Sequence, residues 1–205
     1  QTKVQKVLGK LRPTFDSLPI RLYKNLGDSL FSPSWLPFST IVDHINEINP
    51  DVVHLHWITG GMIRIEDLAK IKMPIVWSLH DMWAFTDGYH YDAAFDICNN
   101  GLPEQPKISI QSKVFKRKAK TYQKLNRLTV IGLSQWLNNC SKNSKLLGDK
   151  AHVNLPNPID TKAFSPFDKA QARTLFNLPA DKKLILFGAM DATSDPRKGF
   201  KNLSK

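Results

Sequence analysis

Short β-branched apolar runs alternate along this chain with segments whose apolar residues recur every three or four positions. The runs at residues 51–56, 75–80, 128–133, 152–155 and 183–188 have the length and composition of strands buried in a parallel sheet. Between them, Phe38, Ile41, Val42, Ile45 and Ile48 keep helical spacing, and Asn49-Pro50 ends that helix. Ile65, Leu68, Ala69 and Ile71 predict a short helix. A basic amphipathic helix is expected from Lys113 to Arg127, with Phe115, Ala119, Tyr122 and Leu125 on the side packed against the sheet, and two more helices from Gln135 to Leu147 and from Lys169 to Asn177. Residues 1–37, broken by Pro13, Pro19, Pro33 and Pro37, predict a short helical piece and then loop. Residues 82–112 have no clear period, and a loop of that length inside a domain is usually functional or mobile.

This alternation predicts an α/β fold built on an open, mostly parallel, Rossmann-like sheet. Sites in such sheets lie outside the carboxyl ends of the strands. Here those ends are His54-Leu-His56-Trp57, His80-Asp81, Leu133-Ser134 and Gly188. Three of the four carry polar or ionisable groups. About 17 residues follow the last run, too few to finish a second domain, so the chain is expected to be a piece of a longer one.

Composition narrows the classes. The 205 residues are 41% hydrophobic, enough for a packed core, and no run has the ~18 apolar residues of a membrane span. The basic start, Gln1 to Arg12, lacks an apolar signal-peptide core. Cys98 and Cys140 do not make a disulfide framework, which fits a reducing cytosol. The net charge of +11 is concentrated between Gln105 and Gly148, where ten Lys or Arg, Lys107 among them, meet no Asp or Glu. Such asymmetry suits an anionic partner, and equally a solvated basic face that keeps the protein soluble.

His54 and His56 are two apart on a strand and so point to one side. With His80 and Asp81 they could ligate a metal, which gives the alternative of a metal-dependent hydrolase. The other reading of these histidines is structural. His80-Asp81 precedes an aromatic cluster of Trp83, Phe85, Tyr89, His90 and Tyr91. A strand-end imidazole can donate to a sugar hydroxyl or steady a developing charge, and aromatic rings offer flat faces to sugars. Ser134 reads first as a helix N-cap. Asp195-Pro-Arg-Lys-Gly199 places Arg197 and Lys198 before a possible helix start, which suits a diphosphate or is an ordinary basic turn. No dinucleotide fingerprint, P-loop or nucleophile elbow is present. The basic stretch also admits a nucleic-acid-binding module, but no motif of that class accompanies it.

Taken in order, several segments resemble one family. They are residues 51–57, the Gly60-Gly61 break, residues 74–86, Ser134-Gln-Trp-Leu137, Pro156-Asn-Pro-Ile-Asp160 with Phe164, and Arg197-Lys-Gly199. They look like the family 4 glycosyltransferases of the GT-B fold that build bacterial exopolysaccharides of the colanic-acid type, with residues 74–86 the most specific part. The resemblance implies that residues 1–164 are an acceptor-side Rossmann-like domain, with its first strand and glycine-rich loop expected before residue 1. It implies that 165–205 are a linker and the start of a donor-nucleotide-binding domain, with a Glu-x7-Glu segment expected beyond residue 205.

The implied activity is transfer of a sugar, with retention of configuration, from a nucleotide-sugar to a glycan or lipid-linked acceptor. No cofactor or metal is implied, and no nucleic-acid partner. His80 corresponds to the cleft histidine, Lys198 with Arg197 to the contacts of the donor diphosphate, and His56, Trp57, Asp81, Trp83 and Ser134 fall around the acceptor. Lys116, Arg117, Lys120 and Lys124 are the expected membrane-facing side of the basic helix, at a cytoplasmic location peripheral to the inner membrane face. Gly188 is followed by Ala189 where relatives often carry arginine, so that contact is absent or supplied by Arg197. Only Cys98 stands where relatives have several cysteines, which argues against a zinc clip.

Overall fold

Four strands, β1 (Val53–Leu55), β2 (Ile75–Leu79), β3 (Leu128–Gly132) and β4 (Ala151–Asn154), pair in that spatial order, and every pairing is parallel. Val53 lies beside Ile75, Ile75 beside Leu128, and Thr129 beside Ala151. The computed structural model describes residues 3–23, 26, 30–91, 109–191 and 193–203. Cys98, Lys107 and the stretch 92–108 of the expected long loop lie outside the described residues.

β2 and β3 are central, and their branched and aromatic residues are covered on both faces: Ile75, Trp77, Leu79, Leu128, Val130 and Ile131 are all buried. β1 alternates, burying Val53 and Leu55 while His54 faces out. Crossovers return the chain to the parallel register through a 3-10 helix (Ile65–Lys70) and the helices α3 (Ile110–Tyr122) and α4 (Gln135–Lys142). This is the expected α/β, Rossmann-like architecture.

The chain divides into two units, Gln1–Asn157 and Pro158–Lys205. In the first, α1 (Lys3–Asp16) is longer than the proline pattern suggested and carries Pro13 inside it. Its last turn is tied down at a distance: Arg12 Nε donates to Gly61 O at 2.6 Å, and Asp16 Oδ1 accepts from Trp35 N at 3.0 Å. α2 (Ile41–Ile48) ends where Asn49 takes a left-handed φ of 50°. In the second unit, Asp168 caps α5 (Lys169–Leu175) by accepting from Gln171 N at 2.8 Å. Residues 183–188 form no strand, contrary to expectation, and most of their side chains are exposed. An apolar run with no neighbouring strand to complete a ladder has nothing to hold it extended.

The basic helix corrects the sequence reading in two places. Its buried stripe is Ile110, Val114, Lys118, Thr121 and Tyr122, with Ser109 as N-cap. Phe115 and Ala119, expected at its centre, sit at the margin. Arg117, expected to face out, turns inward: its Nε and Nη2 hold Glu66 at 2.6 and 2.8 Å, and Nη1 donates to Pro33 O at 2.8 Å. Lys116, Lys120 and Lys124 are exposed as expected.

Lys118 is 0% exposed. Its ammonium donates to the carbonyls of Trp83 and Thr86 and lies 3.7 Å from the centroid of the Trp83 ring. Burial pushes its pKa well below the ordinary lysine value, against the opposing pull of Asp87 and Asp81. Between that lowered value and the unfolded one near 10.5, the unfolded chain binds the extra proton, so stability rises with pH across that window. Wild type should therefore gain stability relative to Lys118→Met as pH is raised toward 10.5, by at most about 1.4 kcal/mol per unit. Parallel curves for the two proteins in a pH series of denaturant titrations would count against a buried, titrating Lys118.

Cys140 is 3% exposed and disulfide-bonded.

Candidate functional site

The carboxyl ends of β1 and β2 stand side by side, because Leu55 is the register partner of Trp77. The residues that follow them meet. His56 Nδ1 and His80 Nε2 are 2.9 Å apart, so one imidazole donates and the other accepts. His54 Nε2 bonds to Ser78 Oγ at 2.8 Å, and its ring centroid is 4.2 Å from that of His56. Burial, then the neighbouring His56 and His80, hold the His54 pKa below the ordinary histidine value.

Asp81 organises the second half of the site. Its Oδ2 accepts from Trp57 Nε1 at 3.1 Å and pairs with His90 Nδ1 at 2.6 Å, while Oδ1 accepts from Trp83 N at 2.9 Å. His90 is wholly buried, and its Nε2 meets Ser32 Oγ at 2.8 Å. The chain Ser32–His90–Asp81–Trp57 thus runs from the interior to a surface indole that is 47% exposed. A carboxylate with three donors is locked in orientation, and Trp57 inherits that orientation.

The expected residues are distributed as follows. His56, Trp57, His80 and Asp81 come together at one place. Trp83 also lines that place, but it is 2% exposed, and its ring is engaged by Lys118. Trp57 is the exposed aromatic ring at this place, and in the later cluster Phe85 and His90 are buried as well. Ser134 caps α4, accepting from Leu137 N at 3.1 Å. In the second unit, Arg197 is bidentate to Asp195 at 2.9 and 2.6 Å, and this hydrogen bonding holds the Asp195 carboxyl below its ordinary pKa. Lys198 is exposed and precedes Gly199, whose φ of +75° turns the chain into the short helix α6 (Phe200–Leu203).

The four candidate metal ligands do not form a ligand set. His56 and His80 bond to each other, His54 to Ser78, and Asp81 to Trp57 and His90. Among the described residues, no group of three or more His, Cys, Asp or Glu is placed to hold a metal ion. Sequence reasoning passed over Ser32, Lys118 and Thr59. Lys118 had a signal in the i, i+4 spacing Ile110–Val114–Lys118–Tyr122. Ser32 and Thr59 had none.

The fold and the strand-end cluster define an α/β, Rossmann-like domain with an architecture compatible with an enzyme. Comparison with protein-family models, with curated proteins and with solved structures gives no match.

Proposed function

We propose that this chain is the acceptor side of a retaining glycosyltransferase of the GT-B type, which moves a sugar from a nucleotide-sugar to a glycan or lipid-linked acceptor in bacterial surface polysaccharide synthesis. The observation that carries the reading is the cluster at the β1 and β2 ends. There His80 stands hydrogen-bonded to His56 beside an indole fixed by Asp81. An imidazole at that position can donate to, or accept from, a sugar hydroxyl, and the apolar face of a pyranose packs on an exposed indole. In this reading Lys198 and Arg197 serve the donor diphosphate, as the resemblance implies. The test, run on the full-length protein because this piece alone is expected to be inactive, is transfer of labelled sugar from a panel of nucleotide-sugars to polyprenyl-diphosphate-linked glycans, with the product's anomeric configuration read by NMR. Retained configuration in a new glycoside supports the proposal, and absence of transfer across the panel rejects it.

A lipid-linked acceptor gives the basic helix a role. No helix among the described residues is long and apolar enough to cross a membrane. Lys116, Lys120 and Lys124 are exposed along α3 and just beyond its end. Each is worth about 1 kcal/mol near an anionic leaflet before salt screening. With Arg117 bound to Glu66, the docking surface is these three lysines. Co-sedimentation with anionic vesicles should fall when all three become Gln and when salt is added. Equal sedimentation with neutral vesicles would leave the helix as a solvated face.

A further inference from the structure

The segment after β1 turns sharply at Gly60 and Gly61, whose φ angles are +64° and +75°. The turn brings Gly60 under the Trp57 ring, where an added Cβ would lie 3.5 Å from Cη2. It also carries Thr59 into the wall of a small cavity shared with His56, Trp57, Ser78, His80 and Asp81. The cavity volume is ≈ 10 Å³, at the lower limit of about 10–15 Å³ that admits one water-sized group. It has no room for a sugar ring, nor for a methylated oxygen.

Of these polar side chains, His56 and His80 bond to each other, Ser78 bonds to His54, and Asp81 holds Trp57 and His90. Thr59 is different. It is 2% exposed, and its Oγ1 is buried with no hydrogen-bond partner in the protein. An unpaired buried hydroxyl is costly to keep, and the cost disappears when a partner enters. A hydroxyl both donates and accepts, which matches a neutral hydroxyl better than an ion.

We propose that Thr59 Oγ1 is the floor of a one-hydroxyl subsite. A single hydroxyl of a pyranoside enters the cavity and bonds to Thr59, while the sugar ring rests outside against the indole of Trp57. This rests on the sugar-acceptor reading above and adds to it a rule for which acceptors fit. At one ring position the acceptor needs a free hydroxyl, and that position tolerates neither hydrogen nor O-methyl.

The test is NMR titration of the protein with the methyl glycosides of glucose, galactose and mannose, each with its mono-deoxy and mono-O-methyl analogues. Wild type, Thr59→Ser and Thr59→Val are compared. At least one parent glycoside should bind wild type. At one position, deoxygenation should weaken binding about tenfold in wild type and Thr59→Ser but less than twofold in Thr59→Val. Thr59→Val should bind the parent about tenfold more weakly yet melt no lower than wild type, because it breaks no bond within the protein. A merely structural Thr59 would show the reverse, a lower melting temperature with unchanged sugar selectivity. If a glycoside binds and Thr59→Val treats the whole series as wild type does, the subsite is overturned and the sugar cleft stands. If no glycoside binds wild type, both fall together.

Discussion

Replacing His80 with alanine is expected to lower turnover of the proposed transferase by about 10²–10⁴-fold, the range for losing a positioned acid–base or hydrogen-bonding side chain. The fold should be unaffected. The His80 side chain is exposed at the end of β2, and His56 is its hydrogen-bond partner. Nothing in the core leans on it. The substitution also frees His56 to reorient, so His56→Ala, which leaves His80 in place, should have the smaller effect on turnover. Steady-state kinetics on the true donor and acceptor, with thermal melting in parallel, decides the matter. Turnover of His80→Ala within twofold of wild type would remove His80 from the mechanism, whatever the fate of the rest of the site.

The second large effect concerns stability. Gly132 ends β3 against the middle of α4, and a Cβ there would lie 2.4 to 2.6 Å from Asn138 Cβ, Cα and N. Two of those three atoms are backbone, so no side-chain rotation relieves the contact. Gly132→Ala should cost about 1–3 kcal/mol or more as the helix is pushed off the strand. For a unit of this size that lowers the melting temperature by about 2–4 °C per kcal/mol. Gly9→Ala is the matching control: it lies within α1, and its added Cβ meets nothing within 4 Å. It should raise stability by about 0.5–1 kcal/mol through helix propensity alone. A Gly132→Ala protein that melts within 1 °C of wild type would mean that α4 sits farther from the sheet than described.

The strands of the sheet were legible because each is short, β-branched and bounded by turn residues, and because burial on both faces leaves a nearly continuous apolar run. The run at 183–188 has the same composition and forms no strand. Strand formation depends on a neighbour, which a local pattern does not contain. The basic helix was legible as a helix but not in its rotation. Of the expected inner face, Tyr122 and Leu125 are buried, but Phe115 and Ala119 lie one position off the stripe of Ile110, Val114 and Lys118. A lysine in an inward stripe looks wrong until the carbonyls of Trp83 and Thr86 are seen to receive it. In the site, His56, His80 and Asp81 were found because strand ends are where such sheets place their chemistry. Ser32 and His90 lie 58 residues apart and Arg117 and Glu66 lie 51 apart, and no spacing rule connects pairs so distant.

The bond from Arg12 to Gly61 links α1, most of whose described side chains are exposed, to the turn that carries Trp57 and Thr59. A helix packed so lightly opens locally at a lower free energy than the sheet does. Each opening takes the guanidinium away from Gly61 O and from the carbonyl of Pro37, 3.1 Å away on the same side. Any ligand that needs the ordered turn binds the closed form only, and so draws the helix closed by mass action. Slowed deuterium uptake by the amides of α1 then becomes a remote gauge of occupancy at the strand ends, and Arg12→Ala uncouples the gauge from the site.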